Sequence, residues 1–158
     1  MGLLKGIDPL LTADLLYILR SMGHGDKLVI CDCNFPAAQV ATKTTTQRCL
    51  VLTTTLPEAL SAICSVLPLD YFEEIPVGYM APSPGIELPV AGREVLEESK
   101  AAIQTYAQGV KMGPIERFLF YEEARTCFAV VQTLERRPYG NIILQKGVVG
   151  PDGKDLKP

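Results

Sequence analysis

The chain has one histidine, His24, and it stands between two glycines in the run Gly23-His24-Gly25-Asp26. Imidazole is the side chain whose charge changes nearest neutral pH, so a lone histidine at a sharp bend is a candidate proton donor. The flanking glycines allow the backbone to turn tightly and a ligand to approach closely. Eight residues later an acid, Asp32, interrupts the otherwise apolar run 28–33. A carboxylate in such a place must find partners or shift its pKa. It can cap the strand end, or it can grip the hydroxyls of a polyol, because ligands of open α/β sheets collect at the carboxyl ends of strands.

Two further groups have suitable chemistry. Tyr139-Gly140-Asn141 has turn composition, and a phenol beside an amide also makes a polyol-binding pair. Arg117-Phe118-Leu119-Phe120-Tyr121-Glu122 reads as an aromatic cluster with charges outside it, with Phe118 and Phe120 expected in the core. Other chemistries are not encoded. No glycine-rich nucleotide fingerprint and no G-x-x-x-x-G-K run occurs. The five cysteines lack C-x2-C spacing, so neither zinc nor a disulfide framework is expected. Cys31 and Cys33 are expected on one face of a core strand, and Cys49, Cys64 and Cys127 among apolar neighbours. A nucleophilic pairing of Cys31 or Cys33 with His24 is disfavoured by that placement.

The elements that must hold these residues follow from hydrophobic periodicity. Thr12 is placed to cap a helix reaching Met22, with a Leu11–Leu16 staple and a left-handed Gly23 closing it. Residues 28–33, apolar on both faces, suit a central strand covered from two sides. A strand is expected at 48–53, and a helix carrying Pro57 in its first turn ends near Pro68. The Pro/Gly-rich stretch 75–92 reads as loop around one short strand at 77–81. A helix follows at 92–108, closed by Gly109. The segment 115–120 is ambiguous, 121–125 is helical, and 127–133 and 141–146 are strands. Interleaved strands and helices without repeats predict an α/β fold, a three-layer α/β/α sandwich, whose strand order the pattern leaves open. A single domain is expected over 1–150, followed by a polar, frayed tail at 151–158.

The chain has 158 residues, 47% of them hydrophobic, and a formal net charge of −3. That balance supports a full core and gives no basic patch for nucleic acid. No run approaches the length of a membrane helix, and the N-terminus lacks a signal-peptide pattern. A cytoplasmic protein with no nucleic-acid or membrane partner is expected.

Taken in order, Leu4-Lys5-Gly6-Ile7, Pro9-Leu10-Leu11, Met22-Gly23-His24-Gly25-Asp26, Asp32-x-Asn34-Phe35-Pro36-Ala37, Leu67-Pro68-Leu69-Asp70, Arg117-Phe118-x-Phe120-Tyr121-Glu122 and Tyr139-Gly140-Asn141-Ile142 closely resemble the RbsD/FucU family. The resemblance runs over about residues 3–149 and departs at 75–93 and 42–46. It implies a sandwich with a mixed sheet and interconversion of sugar anomers without metal or organic cofactor. It implies His24 as proton donor and Asp32, Asp70, Tyr121, Tyr139 and Asn141 as sugar-binding positions, with Arg117 matching an arginine of the fucose-type bacterial site. It implies self-association into rings, commonly homodecamers, with sites at subunit boundaries. The ribose branch carries further histidines near its site, and their absence here points to L-fucose. A ribose pyranase-like enzyme and a non-catalytic sugar-binding module, with galactose or ribose as ligand, stay open at this level.

Overall fold

The structure, a computed structural model, describes residues 2–158. Its elements in chain order are α1 (Ala13–Ser21), β1 (Lys27–Cys31), α2 (Ala37–Ala41), β2 (Cys49–Val51), α3 (Leu56–Cys64), β3 (Val77–Ala81), α4 (Val90–Tyr106), β4 (Met112–Glu116), α5 (Arg117–Arg125), β5 (Ala129–Gln132) and β6 (Ile142–Gln145). The strands form one sheet in the order β2-β5-β1-β6-β3-β4. β2, β5 and β1 are mutually parallel, as are β3 and β4, while β6 runs antiparallel to both neighbours, β1 and β3. One reversed strand therefore sits inside an otherwise parallel sheet.

Alternation along β1 explains the layers. Leu28 and Ile30 join a core formed with α1, α3 and α4, through Leu15, Ile18, Leu60, Ile63, Val95 and Ile103. Val29 and Cys31 face the other way and pack with Val40 of α2 and Phe120 and Ala124 of α5. The period of two sends consecutive residues to opposite faces. Both faces being covered, the α/β sandwich with a mixed sheet is the fold.

Local chemistry sets the element ends. The Thr12 hydroxyl accepts the Leu15 N–H at 3.2 Å, and Asp14 and Arg20 complement the α1 dipole. Thr55 and Glu58 form a capping box on α3, and Pro57 occupies its first turn. The ambiguous 115–120 segment divides at Glu116: its carboxylate accepts the N–H groups of Phe118 (2.9 Å) and Leu119 (3.3 Å), so the chain passes from β4 into α5 without a loop.

Several expectations are corrected. The left-handed residue after α1 is Gly25 (φ 85°), and Met22 ends that helix in extended conformation. The short helix α2 was not foreseen, its five residues giving no helical period to read. Helix α4 begins at Val90, ahead of Gly92. Cys33 is exposed because β1 stops at Cys31, and Phe118 points to solvent while Phe120 is fully buried. Beyond Gly150 the tail folds back instead of fraying: Gly150 N–H donates to the Lys154 carbonyl at 2.7 Å, Leu156 N–H to that of Val148 at 2.8 Å, and the Lys157 ammonium lies 4.4 Å from the Tyr71 ring centre.

Gly147 follows β6 where its N–H donates to the Pro68 carbonyl at 2.8 Å, and a Cβ there would overlap the Leu69 carbonyl. Gly147→Ala is expected to lower stability by about 1–3 kcal/mol in thermal or urea unfolding, the range for forced overpacking. Gly23→Ala, with its nearest neighbour at 3.7 Å, is expected to be close to neutral in the same measurement.

Candidate functional site

The reversal of β6 decides which residues meet. The register pairs Ile30 with Ile142, so Asn141, just before β6, adjoins Asp32, just after β1. The two side chains clasp reciprocally. Asp32 N–H donates to Asn141 Oδ1 and Asn141 Nδ2 donates to Asp32 Oδ2, each at 3.0 Å. Asp32 Oδ1 also accepts the Asn34 N–H at 2.9 Å, turning the chain after the strand. A carboxylate has about four acceptor directions, so capacity remains for a ligand.

Around this clasp is a cavity of about 250 Å³ lined by Asp32, Asn34, Phe35, Met80, Arg117, Tyr121, Pro138, Tyr139 and Asn141. Phe35 stacks on Tyr121 with ring centres 5.4 Å apart, and the Arg117 guanidinium lies 5.9 Å from the Tyr121 ring centre. The wall thus combines carboxylate, amide, phenols and a fixed cation with two apolar patches. That mixture suits a small polyol with a hydrophobic edge.

Burial raises the Asp32 carboxyl pKa above its ordinary value of 3.8; hydrogen bonds from Asn34 and Asn141 oppose the rise, and the charge of Glu135 adds to it. The result is a carboxylate that takes up a proton more readily than an exposed one, a property useful in a base.

His24 and Asp70 lie at the other end of the sheet. Asp26 accepts the Gly23 N–H (2.7 Å), Gly25 N–H donates to the Lys146 carbonyl (2.9 Å), and Lys146 Nζ donates to the Leu19 carbonyl (2.8 Å), fixing the bend. His24 Nε2 is 2.9 Å from Asp70 Oδ2. An ionised carboxylate only accepts, so Nε2 carries the proton and Nδ1 is the free nitrogen of the neutral ring. Burial alone would raise the Asp70 carboxyl. The donors Phe72 N–H, Gln145 Nε2 and His24 outweigh it and hold the group below 3.8. The imidazole is 56% exposed, turned outward from its partner. Between the two groups runs β1, whose five residues span about 16 Å. Within one chain, His24 and Asp70 do not reach the cavity that holds Asp32, Arg117, Tyr121, Tyr139 and Asn141.

The comparisons with known proteins agree with this architecture. Residues 5–149 match the RbsD / FucU transport protein family. The chain belongs to the RbsD/FucU family. It is 42% identical to the fucose mutarotase of Danio rerio, over 96% of this chain and 98% of that one. It is 38% identical to the fucose mutarotase of Homo sapiens, covering 94% and 96%. The crystal structure of the fucose mutarotase from Streptococcus pneumoniae in complex with L-fucose superposes with a TM-score of 0.80 at 32% identity, over 93% of this chain and all of that one (100%).

Other residues of this RbsD/FucU chain shape the cavity or the His24 end without a sequence signal that marked them. Met80 of β3 approaches Asn141 Nδ2 with its sulfur at 3.5 Å. Glu135, buried to 3% exposure, accepts from Arg137 behind the Tyr139 turn, and its Cγ would lie 3.0 Å from a Cβ on Gly140. Gln145, at the His24 end, donates to Asp70 Oδ2 at 3.1 Å. Each lies in a strand or beside it and reads from sequence as ordinary sheet or loop. Among the described residues no group of three or more His, Cys, Asp or Glu is placed to hold a metal ion.

The two aspartates are expected to titrate on opposite sides of 3.8, Asp32 above and Asp70 below, in carboxyl-carbon NMR. The consequences for stability have opposite signs. Asp70 contributes stability that is full above its unfolded value and is lost as pH falls through its lower folded value. The penalty of Asp70→Asn in urea unfolding should therefore be present at pH 6 and shrink as pH falls below 3.8. A penalty independent of pH would mean that the charge of Asp70 is not what its partners hold.

Proposed function

We propose that this chain is an L-fucose mutarotase, an isomerase that exchanges the α and β anomers of its sugar, and that each site is completed by two copies of the chain. The observation that carries the reading is the division of the proton-transfer groups between opposite ends of the sheet, each end open to a neighbour. Family membership, curated relatives that are fucose mutarotases and a related fold holding L-fucose support the substrate.

The chemistry needs one acid and one base. Ring opening places a proton on the ring oxygen as the C1–O5 bond breaks, and removes the proton of the anomeric hydroxyl as the C1=O double bond forms. Rotation about C1–C2 presents the other face of the aldehyde. Closure returns both protons. His24, held through Nε2–H by Asp70 and acting as imidazolium, delivers its Nδ1 proton to the ring oxygen, becomes the neutral ring, and recovers that proton on closure. Asp32 of the adjoining copy accepts the anomeric proton, directly or through water, and holds hydroxyls. Tyr121, Tyr139 and Asn141 orient the sugar, and Arg117 supplies fixed positive charge. No step requires redox chemistry. Acid–base assistance contributes typically about 10²–10⁴-fold, and the uncatalysed exchange already proceeds in water.

The assembly reading is a closed homo-oligomer, with a decamer as its preferred form. Head-to-tail contacts give rings when their rotation closes. Exposed aromatics flank both ends: Phe72, 56% exposed, adjoins Asp70, and Phe118, 63% exposed, adjoins Arg117. Aromatic side chains are enriched where interfaces form.

Exchange NMR on L-fucose is the test, because a mere binder leaves the α/β exchange rate at its value in water. His24→Gln and Asp32→Asn are each expected to lower the accelerated rate by about 10²-fold or more while leaving the circular dichroism spectrum unchanged.

Complementation then distinguishes shared from self-contained sites. When the two inactive variants are unfolded together and refolded at equal concentration, about a quarter of the sites in a random ring combine an intact His24 with an intact Asp32. Recovery near that fraction is expected. A mixture as inactive as its components would place each site within a single chain.

A further inference from the structure

We propose that Arg137 is a positioning residue for the sugar cavity: clamped between Glu135 and Glu98, it holds the turn at residues 138–140 in the shape that turns Tyr139 toward the ligand. The substrate in this inference rests on the mutarotase reading above; the mechanical part does not.

Tyr139 has φ 65°, a left-handed conformation that side chains other than glycine seldom adopt and that persists only where its surroundings enforce it. The enforcing contacts are on both sides of it. Arg137 Nε and Nη2 donate to the two oxygens of Glu135 at 2.9 Å each, and Arg137 N–H donates to Glu135 Oε1 at 3.0 Å. Nη1 reaches Glu98 Oε1 on α4 at 2.9 Å. Glu135 Oε2 also accepts the Leu56 N–H of α3 at 3.4 Å. Two helices and the turn thus meet on one Arg137–Glu135 pair. Against this corner lies Gly140, whose added Cβ would stand 3.0 Å from Glu135 Cγ, 3.3 Å from the Arg137 carbonyl and 3.5 Å from Asp32 Cβ. On the far side the Pro138 carbonyl abuts Gly92 of α4, 3.0 Å from where a Cβ would be. The Glu135 backbone carbonyl also accepts the Cys33 N–H at 2.9 Å, tying the same corner to the residue after Asp32.

The arrangement depends on a planar fork. A lysine ammonium cannot serve both Glu135 oxygens and Glu98 from one position. Glu135 also acts on Asp32 by its charge, but Arg137 lines no part of the cavity, so its effect on the shape that meets the ligand must pass through the turn that carries Tyr139.

The test is a double-mutant cycle read by calorimetric titration with L-fucose. Arg137→Met is expected to raise the dissociation constant about tenfold, with the exchange rate at saturating sugar changed less than about threefold, since acid and base stay in place. In a Tyr139→Ala background the same substitution should change the dissociation constant less than about twofold, because the side chain it positions is already gone. Arg137→Lys should not restore affinity. Should Arg137→Met fail to fold, Glu98→Ala removes only the exposed arm of the clamp; an increase of about threefold, absent without Tyr139, is then expected. Equal losses with and without Tyr139, or unchanged affinity, would overturn the proposal. The mutarotase reading fails separately, if wild-type protein does not accelerate exchange. The turn itself is read without sugar, by the Asn141 side-chain amide resonances, which Arg137→Met should shift; unmoved resonances would overturn the clamp whatever the substrate.

Discussion

The site depends on a single reversed strand. Had β6 run parallel to β1 and β3, its leading turn would lie beside Lys27 and its trailing end beside Asp32. As an antiparallel strand, β6 brings Asn141 to the carboxyl end of β1 and Gln145 to the end where His24 leaves α1. The ladder that fixes this register is buried on both faces. A slip of one residue would exchange Ile142 and Leu144 with Ile143 between the two cores. The alternation of three apolar residues thereby fixes the partners of two aspartates, Asp32 and Asp70.

Those aspartates illustrate how placement divides one residue type into two roles. Asp32 has little water and a nearby negative charge at Glu135, and its proton affinity rises. Asp70, met by three donors, stays ionised and orients an imidazole. The cavity end of the sheet also holds the strained backbone of Tyr139, a cost of about 1–3 kcal/mol for such a conformation. Strain and desolvation concentrate together at the cavity proposed for the sugar, and the two hydrophobic cores on either side of the sheet offset both.

Of the fold, the parts carried by local chemistry were legible in the sequence. Thr12 and Pro57 mark helix starts because caps and first-turn prolines act within one turn of chain. The central place of β1 was legible because a strand covered on both faces must be apolar at every position. The boundary at Glu116 was not. There a strand and a helix share one apolar segment, and only the carboxylate reaching back to two N–H groups divides them. Cys33 and Phe118 were misplaced for the same reason: a period can be read, but the residue at which it stops depends on tertiary contacts.

By itself the sequence determined the α/β class and the residue types able to do chemistry, because periodicity, caps and composition are local properties. It also carried the family resemblance in which Asp32, Tyr121, Tyr139 and Asn141 are sugar-binding positions. Only the tertiary structure decided that His24 and Asp32, eight residues apart in the chain, stand at opposite ends of the sheet. It alone gave Asp70 to His24 and Arg137 to the Tyr139 turn. The His24–Asp70 pairing comes from strand direction and order, which set a contact across 46 residues, and the Arg137 clamp is completed by Glu98 of α4, 39 residues away in the chain. A pattern of apolar positions shows which face a residue takes, but not which strand lies beside it.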